Sequence, residues 1–138
     1  MRFPAKFTPE PEGGFTVTFR DIPEAITHGD TMEEAISMAE DALITSMDFY
    51  FENKRSVPLP SKPKRGEHII ELPISIAAKV FLLNAMLESK VKNTDLAKQL
   101  GITRSGINRL LDLNHATKID RISDALKILG KTLTVTVS

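Results

Sequence analysis

The stretch EGGFTVTFRDIPEAITHGDTMEEAI, residues 12–36, decides the fold of the first half of the chain. Phe15, Val17 and Phe19 alternate with polar residues, a pattern that predicts a strand with one buried face. The preceding PEPEGG is turn chemistry, because its prolines restrict the backbone and its glycines allow positive φ. Residues 2–8 alternate in the same way, so the two segments are expected to form a hairpin.

A third strand and a long helix follow from the rest of this stretch. Pro23 ends the second strand because proline has no amide to donate to a ladder, and residues 25–29 are long enough for a third. Thr31 and Glu34 fit a capping box at a helix start. Apolar residues then recur at three- and four-residue steps, which predicts a helix over residues 32–52 packed on the sheet. They are Ala35, Ala39, Ala42, Leu43, Met47 and Tyr50.

Composition and charge limit the class of protein. The 138 residues, 41% hydrophobic and 26% charged, match one ordinary soluble domain or two very small ones. No apolar run approaches the length of a membrane span, and the N-terminus has no signal-peptide core, so a cytoplasmic location is expected. Residues 1–73 carry a net charge of −5 and residues 74–138 one of +5. This split suggests a basic partner for the first half and nucleic acid for the second.

The chain is expected to divide into domains at residues 1–73 and 74–138. Residues 53–67 contain three prolines and five basic residues and are typical of a linker or long loop. Residues 68–72 could be a fourth strand or the lead into the second domain. Four helices are expected after them, over residues 75–89, 94–100, 103–113 and 117–129, the first capped by Ser75 and the last by Thr117. Residues 132–137 alternate as a strand, which could return to residues 69–72 or pair across a dimer.

The segment TDLAKQLGITRSGINRLLDL, residues 94–113, has the spacing of a helix-turn-helix. Ala97 is small where the two helices would cross, Gly101 allows a sharp turn, and Thr103 can cap the second helix. That helix would enter the major groove of DNA, with a plain helical bundle as the alternative interpretation. Candidate base contacts are Arg104, Ser105, Asn108 and Arg109, and candidate phosphate contacts are Thr94, Lys98 and Thr103. Gly106, inside the proposed recognition helix, disfavours a helix by about 1 kcal/mol relative to alanine.

No catalytic or metal-binding pattern is found, so no enzymatic activity and no cofactor are expected. The three histidines lie in separate segments, and no GxSxG, P-loop or HExxH motif occurs. A two-metal nuclease needs carboxylates that converge from rigid strands, and the first strand has none. The acids of the first half lie instead at turns, at strand ends and at the helix start. A nuclease that uses Asp21 is the alternative interpretation of this acidic segment.

The chain resembles the HicB family of antitoxins along nearly its whole length. The resemblance lies in GGFTVTF, DIPEAITHGDT, EEA and DALITSMDFYFE, continues in VPLPS, and ends in HATKIDRISDALKILGK. It is similar to the subgroup with a C-terminal helix-turn-helix. The resemblance implies an α+β protein with a βββαβ N-terminal domain, a partial ribonuclease-H-like fold that has lost its active site. A C-terminal all-α helix-turn-helix domain with a terminal strand follows.

The same resemblance implies two functions. The N-terminal domain would bind and mask HicA, a small basic toxin that cleaves mRNA, while the C-terminal domain would form a homodimer and repress the operon by binding operator DNA. The acidic residues of the first half are then candidates for toxin contact, namely Glu10, Glu12, Asp21 and Glu24. The alternative function is a stand-alone helix-turn-helix regulator whose N-terminal domain senses another ligand.

Overall fold

Four strands and one helix build the first part of the chain, in a computed structural model that describes residues 1–138. The sheet has the order β3-β2-β1-β4, and every neighbouring pair is antiparallel. The predicted hairpin, third strand and helix are confirmed, and residues 68–71 are a fourth strand. The elements are β1 (Arg2–Pro9), β2 (Phe15–Phe19), β3 (Ile26–Gly29), α1 (Met32–Glu52) and β4 (His68–Glu71).

Register explains which residues form the core of this sheet. Ala5 pairs with Phe19 and Phe3 with Ile70, and all four side chains are buried. Side chains alternate between the faces of a strand, so these residues share one face. Helix α1 buries one stripe that packs on it, because a sheet must cover its apolar face with another layer. The stripe consists of Ala35, Ala39, Leu43, Ser46, Met47 and Tyr50.

The junction between β3 and α1 depends on a glycine. A Cβ on Gly29 would lie 2.3 Å from the Ala35 amide nitrogen and 2.4 Å from its Cα, closer than non-bonded atoms approach. Two residues further on, the Thr31 hydroxyl accepts a hydrogen bond from the Glu34 amide at 3.1 Å, as predicted for the helix start. The strand end therefore contacts the first turn of the helix directly.

Four helices form the second part of the chain, α2 (Ile74–Ser89), α3 (Asn93–Leu100), α4 (Arg104–Leu110) and α5 (Ile119–Ile128). They pack around one apolar cluster, composed of Ala78, Leu82, Ala85, Met86, Leu96, Ala97, Ile107, Leu110, Ile122, Ala125 and Leu126. By contacts the chain forms two compact units. The sheet unit is Met1–Tyr50 with Val57–Pro73, and the helical unit is Phe51–Ser56 with Ile74–Ser138. No helix is both long and apolar enough to cross a bilayer.

The terminal strand and two helix starts of the helical unit differ from prediction. The terminal strand is absent, since residues 132–138 have no ladder partner and a strand needs one. Residues 69–72, the pairing partner that the sequence suggested for this segment, belong to the sheet unit. Helix α2 begins at Ile74 rather than after Ser75, and α5 has Lys118, without a side-chain bond, at its N-cap instead of Thr117.

Candidate functional site

The turn between α3 and α4 has the geometry that its sequence predicted. Gly101 has φ +67° and ψ +33°, the left-handed conformation of a helix C-cap, and its amide donates to the carbonyls of Ala97 and Lys98. The Thr103 hydroxyl accepts a hydrogen bond from the Gly106 amide at 3.1 Å and so caps α4. Ala97 is buried in the apolar cluster of this unit. Helices α3 and α4 are therefore arranged as a helix-turn-helix.

Helix α4 exposes the side chains that were proposed to read bases. Ile107 and Leu110 are buried, and the candidate base contacts lie on the opposite, exposed side of the helix. None of their side chains makes an internal hydrogen bond or ion pair. They are Arg104, Ser105, Asn108 and Arg109. A recognition helix needs exposed polar groups of this kind, without internal partners, to bond to base edges.

The predicted phosphate contacts lie beside this face. Thr94 and Lys98 are exposed on α3 and line one groove together with Arg104 and Asn108. The Thr103 hydroxyl already accepts a bond from the Gly106 amide, so only its proton remains available for a phosphate. The groove thus brings two candidate phosphate contacts next to two candidate base contacts.

Gly106 lies on the packed side of α4 and not on its exposed face. A Cβ at this position would lie 3.3 Å from Cβ of Ile102, the residue that fills the turn. The glycine allows the turn to pack closely on the first part of the recognition helix.

A second groove on the other flank of α4 joins Arg109, a predicted base contact, to Arg121, which no sequence pattern singled out. It encloses about 540 Å³, and its walls include Arg109, His115 and Arg121, with the Asp124 carboxylate as the one acid. The Thr117 hydroxyl oxygen, in the same wall, is buried without a hydrogen-bond partner. Arg121 is exposed in the first turn of α5. No local motif marks this groove, because its residues come from α3, α4, α5 and the two connections between these helices.

Lys79 is the second residue that the sequence did not single out. It lies on α2, only 2% exposed, and its ammonium donates to the carbonyl oxygens of Arg109, Asp112 and His115 at 3.2, 2.6 and 2.8 Å. Burial lowers the pKa of Lys79 from its ordinary value, while the nearby Asp112 carboxylate raises it. Helix α4 ends at Leu110 and not near Leu113 as predicted, and two of the three carbonyls bonded to this ammonium, those of Asp112 and His115, lie beyond that end.

The four acids predicted to contact the toxin do not converge. Glu10 and Glu12 lie before β2 and Asp21 and Glu24 after it, and five residues of strand separate the two ends by about 17 Å, at roughly 3.4 Å per residue. Glu10 accepts a hydrogen bond from the Thr16 hydroxyl at 2.6 Å. No group of three or more histidine, aspartate or glutamate side chains is placed to hold a metal ion.

Two of these acids hold the sheet unit together. Asp21 accepts hydrogen bonds from the Ser61 amide at 3.0 Å and the Ser61 hydroxyl at 2.7 Å, and Glu24 accepts one from the Tyr50 hydroxyl. Val57, at the start of the same loop, is buried. Residues 57–67 are therefore a loop fastened to the sheet unit. Of the four candidate toxin contacts, only Glu12 is exposed and without an internal bond.

Arg20 and Glu67 close the same loop. The Arg20 guanidinium donates to both Glu67 carboxylate oxygens, at 2.9 and 3.1 Å, and also to Ser61 and the Lys62 carbonyl. The hydrogen bond from Arg20 lowers the pKa of Glu67, and the same bond raises the pKa of Arg20. A bidentate pair of this kind fixes the end of β2 against the loop.

The comparisons with known proteins place this architecture in a family. A family model described as HicB-like antitoxin of bacterial toxin-antitoxin system matches residues 2–81, more than half of the chain. The chain belongs to the HicB family of antitoxins. It is 50% identical to Antitoxin HicB of Escherichia coli K12 over 135 residues, which cover 98% of each protein. It is 53% identical to Antitoxin HicB 2 of Photorhabdus laumondii over 133 residues, which cover 96% of this chain and 94% of the relative.

HicB relatives match the helical unit as well as the sheet unit. The family model ends within α2, at residue 81, but the alignments to the Escherichia coli and Photorhabdus laumondii antitoxins cover nearly the whole chain. A more distant relative, Antitoxin HicB of Pseudomonas fluorescens, is 36% identical over 129 residues, 93% of this chain and 88% of its own length. As a member of this family the protein is the antitoxin of a toxin–antitoxin system, and its partner is a toxin.

Proposed function

We propose that this antitoxin neutralises a HicA-type mRNA-cleaving toxin through its sheet unit and represses its own operon by binding operator DNA through its helical unit. One observation carries the DNA half of the proposal. The exposed face of α4 has two arginines, a serine and an asparagine without internal bonds, on the second helix of a helix-turn-helix. Arginine bonds in a bidentate manner to guanine and asparagine to adenine.

The surroundings of α4 support contact with both DNA backbones. Arg104 and Asn108 face the groove that contains Lys98 and Thr94, and Arg109 faces the groove that contains Arg121 and His115. A helix in the major groove lies between two phosphate backbones. We assign Lys98 and Thr94 to one backbone and Arg121 to the other.

Binding as a homodimer completes the DNA half. Helix-turn-helix domains commonly bind two half-sites about 34–36 Å apart. Residues 132–137 have no ladder partner in the single chain, and Val135 and Val137 are 72% and 94% exposed. An alternating apolar segment of this kind gains backbone partners and buries its valines by pairing with a second copy. We propose that this segment joins the two protomers.

Charge supports the toxin half. Residues 1–73 have a net charge of −5, which complements a small basic toxin and speeds encounter. Glu12 could contact the toxin without losing an internal bond, since it lies exposed in the β1–β2 turn. Glu10, Asp21 and Glu24 would contact the toxin with carboxylates that already accept internal hydrogen bonds.

Operator binding tests the DNA half. Arg104→Ala and Arg109→Ala are each expected to weaken binding to the DNA upstream of the gene, since each loses a contact worth about 1–3 kcal/mol. Fluorescence anisotropy measures the affinity. Lys131→Ala, an exposed change after α5, is the control. Normal binding by both arginine variants would show that α4 is not the recognition helix.

Growth rescue tests the toxin half. Co-expression with the small protein encoded beside the antitoxin gene is expected to restore growth, and the two proteins are expected to elute together on gel filtration. Absence of both rescue and complex would contradict this half and favour a stand-alone transcriptional regulator. Magnesium-dependent nucleic-acid cleavage by the purified protein, abolished in Asp21→Asn, would instead support the nuclease interpretation.

A further inference from the structure

The end of the recognition helix is held by a charge from another helix. An ammonium group has three protons to donate, and Lys79 Nζ has three carbonyl acceptors within 3.2 Å. The side chain is buried, and these oxygens occupy all of its donors. The acceptors lie 30, 33 and 36 residues further along the chain, so this is a tertiary contact and not a local cap.

The three carbonyls belong to one turn that follows α4. Arg109 is in the last turn of the helix, where carbonyls lack helical partners. The Asp112 amide donates to the Arg109 carbonyl at 3.2 Å and the His115 amide to the Asp112 carbonyl at 3.1 Å. The turn therefore surrounds the ammonium, and its three carbonyl oxygens accept hydrogen bonds from this one group. A cation at a helix C-terminus is also favoured by the helix dipole.

We propose that Lys79 is a positioning residue for DNA reading. It sets the orientation, relative to α2, of helix α4 and of the groove wall that contains Arg109 and His115. This inference rests on the DNA half of the proposed function. Arg109 is the link, because its carbonyl bonds to Lys79 while its side chain lies on the exposed face of α4. Lys79 itself touches no DNA.

The chemistry of the site favours this role over a purely stabilising one. Burial of an ammonium costs free energy, and an apolar side chain of similar length is often tolerated as well in a core. An apolar side chain makes no directional bonds, whereas the three hydrogen bonds of the ammonium fix the positions of the three carbonyls. Loss of the ammonium should therefore affect DNA discrimination more than phosphate attraction, since the assigned phosphate contacts Lys98 and Arg121 remain in place.

The experiment compares specific with non-specific binding. Affinities of the full-length protein for the duplex upstream of its gene and for a scrambled duplex of equal length are measured by fluorescence anisotropy in the same salt. The variants are Lys79→Met and Lys79→Gln, and the control is Lys127→Met, an exposed lysine on α5. We expect the ratio of specific to non-specific affinity to fall about tenfold or more in both Lys79 variants, with non-specific affinity nearly unchanged.

A role confined to stability gives a different result. Partial unfolding lowers the active fraction, which weakens specific and non-specific binding equally, and an unchanged ratio in a folded variant overturns the proposal. If neither variant folds, hydrogen exchange of the wild type decides. The Asp112 and His115 amides must then be protected as strongly as the Ile107 amide, and exchange at exposed-loop rates overturns the proposal. If the wild type binds no operator but neutralises toxin, the DNA half of the proposed function fails, and the Lys79 role fails with it.

Discussion

The sheet unit and the helical unit use their polar side chains in opposite ways. At the end of β2, Arg20 and Asp21 are bonded to Glu67 and Ser61 and so fasten a loop to the sheet. On α4, the side chains of Arg104 and Asn108 are exposed and make no hydrogen bond or ion pair within the chain. Residue type alone therefore does not mark a binding surface. The internal bonding of a side chain shows whether it serves the fold or remains available for a partner.

Gly29→Ala should be the most damaging single change, and it should damage the sheet unit. The added methyl would lie 2.3 Å from the Ala35 amide nitrogen, so β3 or α1 must shift, at a cost of about 3 kcal/mol or more. Tyr50 is the only tyrosine in a chain without tryptophan, so tyrosine fluorescence during urea unfolding reports on this unit. Gly106→Ala is the matched change in the helical unit, where the contact is 3.3 Å, and far-ultraviolet circular dichroism follows its unfolding in urea. The added methyl would crowd Ile102, but alanine also favours the helix by about 1 kcal/mol relative to glycine, so the two effects oppose each other. An equal loss of unfolding free energy in both variants would contradict the packing described.

Asp21→Asn should destabilise the sheet unit where Glu12→Gln does not. The first change weakens the bonds to the Ser61 amide and hydroxyl, at a cost of about 1–2 kcal/mol. The second removes an exposed charge with no internal partner and should stay within about 0.5 kcal/mol. Urea unfolding followed by tyrosine fluorescence compares them. If Asp21→Asn leaves stability unchanged, the carboxylate does not fasten the loop and the contrast between the units weakens.

Arg121→Ala should sharpen the assignment of the second groove. Loss of one phosphate contact lowers operator affinity severalfold and reduces the slope of log affinity against log salt concentration by about one. Discrimination between operator and scrambled DNA should not change. Lys127→Ala, on α5 but outside the groove, is the control. The same salt slope in wild type and Arg121→Ala contradicts a phosphate contact by this arginine.

Protonation of Glu67 in acid should lower the unfolding free energy of the sheet unit. This is the smallest of the effects expected. Its pKa is lowered by Arg20 from an ordinary value of 4.5, so the folded state favours the ionised carboxylate. The stabilisation is complete above pH 4.5 and is lost as pH falls through the lowered pKa. The unfolding free energy of the wild type should therefore fall more steeply with pH below 4.5 than that of Glu67→Gln. Identical slopes would contradict the role of this ion pair.

Local patterns in the sequence predicted most of the fold. The alternation of Phe15, Val17 and Phe19 predicted β2, and the three- and four-residue spacing after Thr31 predicted α1 with the bounds observed. Gly101 and Thr103 predicted the turn of the helix-turn-helix, because left-handed glycines and capping hydroxyls act within a few residues. Such features need no knowledge of distant segments.

Tertiary contacts account for what sequence reasoning missed. The turn after α4 is bonded to Lys79, whose nearest bonded partner is 30 residues away, and the role of Asp21 depends on Ser61, 40 residues away. Arg121 joins the second groove only through the packing of α5. The alternation of residues 132–137 did predict a strand, but pairing decides strand formation and the single chain offers no partner.

We propose that DNA reading and toxin neutralisation use separate surfaces of the protein. The most direct test is the double variant Arg104→Ala, Asn108→Ala, titrated in parallel with operator DNA and with the purified toxin. We predict operator affinity about 100-fold below wild type, since each lost contact contributes about 1–3 kcal/mol, with toxin affinity unchanged. Operator affinity that stays at the wild-type level, or toxin affinity that falls together with it, would contradict the account.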